Sequence, residues 1–216
     1  MGNMPTGITR IFQLEGHCGP TTVQMMLRRY KVYLSQPEIA RETQAGVTIQ
    51  EHGCRIDQLA LAVSVLAADY VLLAKYDATI DEVRHLIEQH GIPVGVEWRG
   101  QFFREDGTRY EDGHYSVVTQ VDVRRGLLKI IDPDETAALP DGEITINEFE
   151  SRWWDENWLG NPDDTSSPVV RTFHLIFVVI PRSQHDAIRA LGFQPPTMDL
   201  MRAHHRKLFN PLSSGE

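Results

Sequence analysis

The chain has 216 residues, 41% of them apolar and 24% charged, enough for one large domain or one domain plus a tail. Its formal net charge of −9 argues against a nucleic-acid groove, which needs a basic face, and suits a neutral or basic substrate. No apolar run approaches the ~18 residues of a membrane span; the longest, Leu175 to Ile180, is strand length. Met1 to Arg10 carries no apolar signal core, and Pro5 interrupts the loose myristoylation pattern of Gly2 and Thr6. Two cysteines, Cys18 and Cys54, make no disulfide framework, so a reducing, cytoplasmic setting is expected.

In chain order, the first helix is expected to start at Cys18. Pro20 suits its first turn, where a missing N–H costs nothing, and Val23, Met26, Leu27 and Tyr30 fall on one face. Ser35-Gln-Pro-Glu38 is a capping box that opens a second helix. A third is expected over Ile56 to Ala67, and a fourth follows the capping box Thr79-Ile-Asp-Glu82 and stops at His90-Gly91. The pattern then changes. Ile92 to Trp98 reads as a strand and Arg104 to Asp112 as a polar loop. Tyr115 to Asp122 and Leu127 to Asp132 read as strands of a hairpin around Arg124-Arg125-Gly126.

Ile146 to Trp158 reads as an aromatic helix, and Val169 to Ile180 as one long last strand ended by Pro181. Helices first and an antiparallel sheet after them make the fold class α+β. Residues 1–182 form the expected domain. Residues 183–216 form a tail, with short helices over Gln184 to Leu191 and Met198 to Phe209, a basic cluster from Arg202 to Lys207 on a solvated face, and a disordered end from Leu212 to Glu216.

The chemistry-bearing residues come in the order Gln13, Cys18, His114, Asp132, the order in which a papain-like layout needs an oxyanion donor, a thiol nucleophile, a base and an orienter. A helix N-terminus favours a thiolate, and Gly16 and Gly19 let the backbone turn sharply around Cys18 to expose the sulfur. A lone cysteine is more often a small buried apolar residue; the downstream partners shift the balance. His114 begins one hairpin strand and Asp132 ends the next, nearly opposite it, so the carboxylate can hold one ring nitrogen and leave the other for Cys18. The amide of Gln13 could donate to a developing oxyanion beside the Cys18 backbone N–H.

Cys18-Gly-Pro-Thr-Thr-Val-Gln-Met-Met-Leu27, Gly113-His-Tyr-Ser-Val-Val118 and Ile130-Ile-Asp-Pro133 together resemble the papain-like bacteriocin-processing leader peptidases and their stand-alone relatives, over roughly Ile11 to Ile180. The resemblance implies the papain-like cysteine peptidase fold, with Cys18 as nucleophile, His114 as general base, Asp132 as orienter and Gln13 as oxyanion donor. It also implies cleavage of a peptide or protein substrate, often after a pair of small residues, and no cofactor or metal. It further implies that the aromatic segment at Phe149, Trp153 and Trp154 packs on the sheet. This chain has His17 before the cysteine, where transporter-linked members usually carry Asp, and it contains neither a membrane domain nor an ATPase domain.

The same thioester could serve deamidation, isopeptide cleavage or acyl transfer, and a peptide-binding module could keep the fold without the chemistry. His17, Cys18, His52 and Cys54 could make a metal set, but the spacing is unlike known fingers and a metal would consume the nucleophile. Cys54 reads as a helix-start residue. Trp98, Gln101, Phe102 and Phe103 could line a groove, though aromatics mostly fill cores.

Overall fold

The helices of the N-terminal half form where their caps and apolar faces place them. A computed structural model describes residues 6–160, 164 and 166–209. It runs α1 (Cys18–Arg28), α2 (Gln36–Glu42), α3 (Ile49–His52), α4 (Ile56–Leu66), β1 (Tyr70–Lys75), α5 (Ile80–His90), β2 (Val94–Phe103), β3 (Arg109–Asp122), β4 (Leu127–Ile131), β5 (Glu143–Thr145), α6 (Ile146–Ser151), β6 (Trp154–Trp158), β7 (Val169–Phe173), β8 (Ile176–Pro181), α7 (His185–Arg189) and α8 (Met198–Phe209). Ser35 and Thr79 both close full capping boxes, and Gly91 ends α5 in the left-handed conformation. The lipidation pattern at Gly2 and the end from Leu212 to Glu216 lie outside the described residues.

Six strands form one antiparallel sheet in the order β1-β8-β2-β3-β4-β5. Its two faces carry separate cores. Val23, Met26 and Leu27 of α1 and Ile56 and Leu59 of α4 pack with Val117, Phe177 and Val179. Val83, Leu86 and Ile87 of α5 pack with Val118, Ile130, Ile176 and Val178, together with Trp98, Phe149 and Trp153. Neighbours such as Val117 and Val118 thus go to opposite cores, as a period of two requires. The expected packing of the aromatic segment on the sheet is met at Phe149 and Trp153, which are both buried.

The strand β1, for which the sequence carried no expectation, pairs with β8 along its whole length; Tyr-Val-Leu-Leu-Ala-Lys is a short apolar run that periodicity cannot assign. Three expectations change. The aromatic helix stops at Ser151, because Arg152 leaves helical geometry (φ −117°, ψ 7°), and Trp154–Trp158 becomes β6. The long last strand is two strands in two sheets: His174 takes φ 49°, so β7 pairs with β6 while β8 enters the main sheet. The polar loop from Arg104 to Asp112 is shorter than expected, since β2 and β3 pair from Val94↔Val118 out to Phe103↔Arg109 and only residues 104–108 turn between them.

Between Pro181 and Phe209 the chain stays against the body. Gln194 exchanges backbone hydrogen bonds of 2.9 and 3.0 Å with Ala74. The basic cluster does not face solvent throughout: His204 is buried, and His204 Nε2 and His205 Nδ1 accept from the backbone N–H groups of Phe173 (3.1 Å) and Arg171 (3.0 Å). That covers the free edge of β7, which would otherwise offer unpaired donors.

Candidate active site

The approach to Cys18 is a tight turn that only glycine can make. Gly16 has φ +68°, and a Cβ there would sit 2.1 Å from the Ile49 carbonyl oxygen. The turn closes with His17 N–H donating to Leu14 O at 3.0 Å, while the His17 carbonyl accepts from both the backbone and the hydroxyl of Thr21. Cys18 follows as the first residue of α1 and is half-buried. Gly19 serves a different purpose from the one expected. It lies inside the helix, where a Cβ would come within 3.0 Å of Leu59 Cδ1 and 3.1 Å of Cys54 Sγ, so it lets α1 settle closely on α4. Cys54 precedes α4 by two residues and is buried against α1 at Gly19; burial first, then the Cys18 charge, pushes its thiol well above the usual range.

The hairpin of β3 and β4 brings His114 and Asp132 together. Thr22 of α1 donates to Tyr115 O at 3.1 Å, tying the cysteine helix to the strand that carries His114. His114 is buried, its ring edge-on to Phe102 with centroids 4.8 Å apart. His114 Nε2 lies 2.8 Å from Asp132 Oδ1, which leaves Nδ1 free of the carboxylate, and the ring borders the same cleft as Cys18. Burial opposes the charged ring. The charge and hydrogen bond of Asp132, followed by those of Cys18, outweigh it and hold the imidazole well above its ordinary 6.5. Burial likewise opposes ionisation of Asp132, yet His114, the Asp134 N–H and Ser116 keep its carboxyl below the usual value.

The pairing is diagonal rather than directly opposite. A bulge between Val118 and Gln120 shifts the register to Val117↔Ile131, so Asp132 stands level with Ser116, two residues beyond His114. A diagonal pair remains within reach of long side chains. Sequence reasoning missed Ser116; its spacing of two from His114, on the same side of a strand, was the available signal. It also missed Arg10, whose guanidinium donates to the carbonyls of Asp132 and Asp134 at 2.7 Å each and pins the turn after the strand.

Gln13 borders the same cleft as Cys18. Its N–H donates to Pro133 O at 2.9 Å and its side-chain nitrogen to Asp134 Oδ2 at 2.8 Å, so one amide hydrogen is already engaged and one remains. The cleft has a volume of about 720 Å³. Its far wall is acidic and comes from β2 and β6. Glu97 accepts from Tyr115, Asn157 and Thr172, and Asp155 lies 3.4 Å from Arg99. Burial pushes both carboxyls up, and the Glu97 charge adds to the shift at Asp155. A second groove of about 780 Å³ opens beside Gln13. Phe12, Leu14 and Phe103 line it with 56%, 51% and 41% exposure; Trp98 is core, and Phe102, though buried, borders the cleft that holds Cys18 and His114. Among the described residues, nothing beyond Pro181 lines either cavity, and no group of three or more His, Cys, Asp or Glu could hold a metal.

A cysteine at a helix start, a buried imidazole and a buried carboxylate on one hairpin occur here together with a matching family model. The Peptidase_C39 like family matches over residues 6–157, more than half of the chain. The chain belongs to the Peptidase_C39 like family. Its architecture, a helical N-terminal half on an antiparallel sheet, is the papain-like cysteine peptidase fold. A double glycine motif protease from an AMS/PCAT transporter, solved in complex with its leader peptide, is 14% identical, covers 82% of this chain and 94% of its own, and has a TM-score of 0.52. The peptidase domain of Streptococcus ComA, a bi-functional ABC transporter of a quorum-sensing pathway, is 15% identical, covers 79% and 96%, and scores 0.49. No curated protein matches the chain. Among the described residues of this Peptidase_C39 like protein, no helix is long and apolar enough to cross a membrane.

Proposed function

We propose that the chain is a cysteine peptidase that cleaves a peptide bond through Cys18, His114 and Asp132. The observation that carries the reading is the buried His114 ring, held by Asp132 on Nε2 and bordering the same cleft as Cys18. His114 takes the thiol proton, and the thiolate attacks the substrate carbonyl. The remaining amide hydrogen of Gln13 and the backbone N–H of Cys18, which has no acceptor within its own helix, receive the oxyanion. His114 then protonates the leaving amine and later activates the water that hydrolyses the thioester. Membership of the Peptidase_C39 like family supports a peptidase activity, and the leader peptide bound to a protein of the same fold supports a peptide or protein as substrate. Two unpaired thiols suit a cytoplasmic setting. Residues 1–182 are the catalytic domain and residues 183–216 an appended segment.

This reading has a pH signature. A raised His114 keeps the imidazolium, the partner of the thiolate, through neutral pH, so kcat/KM on a peptide substrate should hold through neutral pH and decline on the alkaline side as that proton is lost. Asp132 is the largest of the influences that raise the ring. Asp132→Asn should therefore move the alkaline limb down by about one pH unit or more. An unchanged alkaline limb in that variant would remove Asp132 from the reaction.

A further inference from the structure

Behind the proposed triad lies a hydrogen-bond chain that the reaction itself does not use. Trp98 Nε1 donates to Ser116 Oγ at 3.0 Å, and Ser116 Oγ donates to Asp132 Oδ2 at 2.8 Å. Trp98 is 1% exposed and Ser116 fully buried. The direction of the chain is fixed by chemistry. An indole N–H can only donate, so the Ser116 oxygen receives it, and the single hydroxyl proton is free to go only to Asp132. The other carboxylate oxygen of Asp132 accepts from the Asp134 N–H at 2.8 Å and faces His114 Nε2 at the same distance.

Asp132 needs such support. It stands one residue past the last paired residue of β4, Ile131, so the strand ladder does not hold it. We infer that Ser116 and Trp98 are positioning residues, a one-way donor chain that keeps Asp132 an acceptor, fixes the hydrogen on His114 Nε2 and leaves Nδ1 for Cys18. The inference rests on the triad reading above. It gives Trp98 a second role besides filling the core around Phe149, whose ring centroid lies 5.6 Å from its own. It also explains why a serine lies at a fully buried strand position where an apolar residue would otherwise pack.

The test needs no known substrate. Cys18 alkylation by iodoacetamide and the titration of the His114 ring by NMR are followed against pH in the wild type, Ser116→Ala, Asp132→Asn, the double variant and His114→Ala. Ser116→Ala should lower the His114 midpoint and slow alkylation at pH 6 by about 5- to 10-fold. In the Asp132→Asn background the same change should add less than about 2-fold, because its effect passes through Asp132. Should Ser116→Ala not fold, Trp98→Phe keeps the hydroxyl and removes only the donor behind it; a shift in the same direction, about 2- to 3-fold in rate, is then expected. An unchanged midpoint and rate in the serine or tryptophan variant, with alkylation still dependent on His114, would overturn the positioning role alone. An equal loss in both backgrounds would overturn it too. Alkylation that ignores His114→Ala would instead bring down the triad reading, and this inference with it.

Discussion

Cys18→Ala is expected to lower peptide hydrolysis by at least about 10³-fold while leaving the protein folded, because no other group can form the thioester. The only other thiol, Cys54, is buried and its ionisation is suppressed by that burial, so it cannot substitute. The fold should tolerate the change. Cys18 is the first residue of α1 and half-buried, and alanine is the best helix former. Thermal melting within a few degrees of wild type, together with loss of turnover, is the predicted pair of results. Turnover that survives in the folded variant would exclude Cys18 as nucleophile.

Gly16→Ala should be damaging in a different way, through both stability and site geometry. The backbone at Gly16 has φ +68°, which alone costs an alanine about 1–2 kcal/mol. The new Cβ would also fall 2.1 Å from Ile49 O and 2.6 Å from Gln50 Cα. Both are backbone atoms, so no side chain can swing aside; either the turn before Cys18 or the segment around α3 must move. A total loss of about 3 kcal/mol or more in chemical unfolding is expected, with activity impaired in whatever folds, since a shift of about 1 Å at a catalytic group is costly. Gly46→Ala is the control, with φ +65° but nothing within 4 Å of its Cβ, and it should show the backbone cost alone. Equal losses in the two variants would mean that the close approach at Gly16 does not matter.

The difference between these glycines shows what the sequence could and could not reveal. The helices around Cys18 were legible because capping boxes, a first-turn proline and a 3.6-residue apolar face are local signals. The grouping of Gln13, Cys18, His114 and Asp132 could be anticipated because thiol chemistry would use those side chains in that order. Three things depended on long-range contacts instead. Gly19 was read as a turn residue, but it is helical and its constraint comes from Leu59 and Cys54 on the far side of the packing. The bulge after Val118, which puts Ser116 rather than Val117 level with Asp132 and so brings the carboxylate to the His114 face of the strand, leaves no mark in local propensity.

The segment β6 misled because its pattern is inverted. Its polar residues Asp155 and Asn157 are the buried ones, while Trp154, Glu156 and Trp158 are partly exposed. Binary patterning assumes that apolar residues turn inward. Here Asn157 turns inward to reach Glu97 and Thr172, and Asp155 to reach Arg99, where they build the acidic wall of the cleft. The local rule failed where the strand serves the cleft rather than the core.

The measurement that tests the central claim most directly is the rate of Cys18 alkylation at pH 6, read by mass spectrometry at that site, in wild type and His114→Ala. A thiol held by a buried imidazolium should react at least about 10-fold faster in the wild type than in the variant. Equal rates in the two folded proteins would mean that His114 does not activate Cys18, and the peptidase reading of this site would not stand.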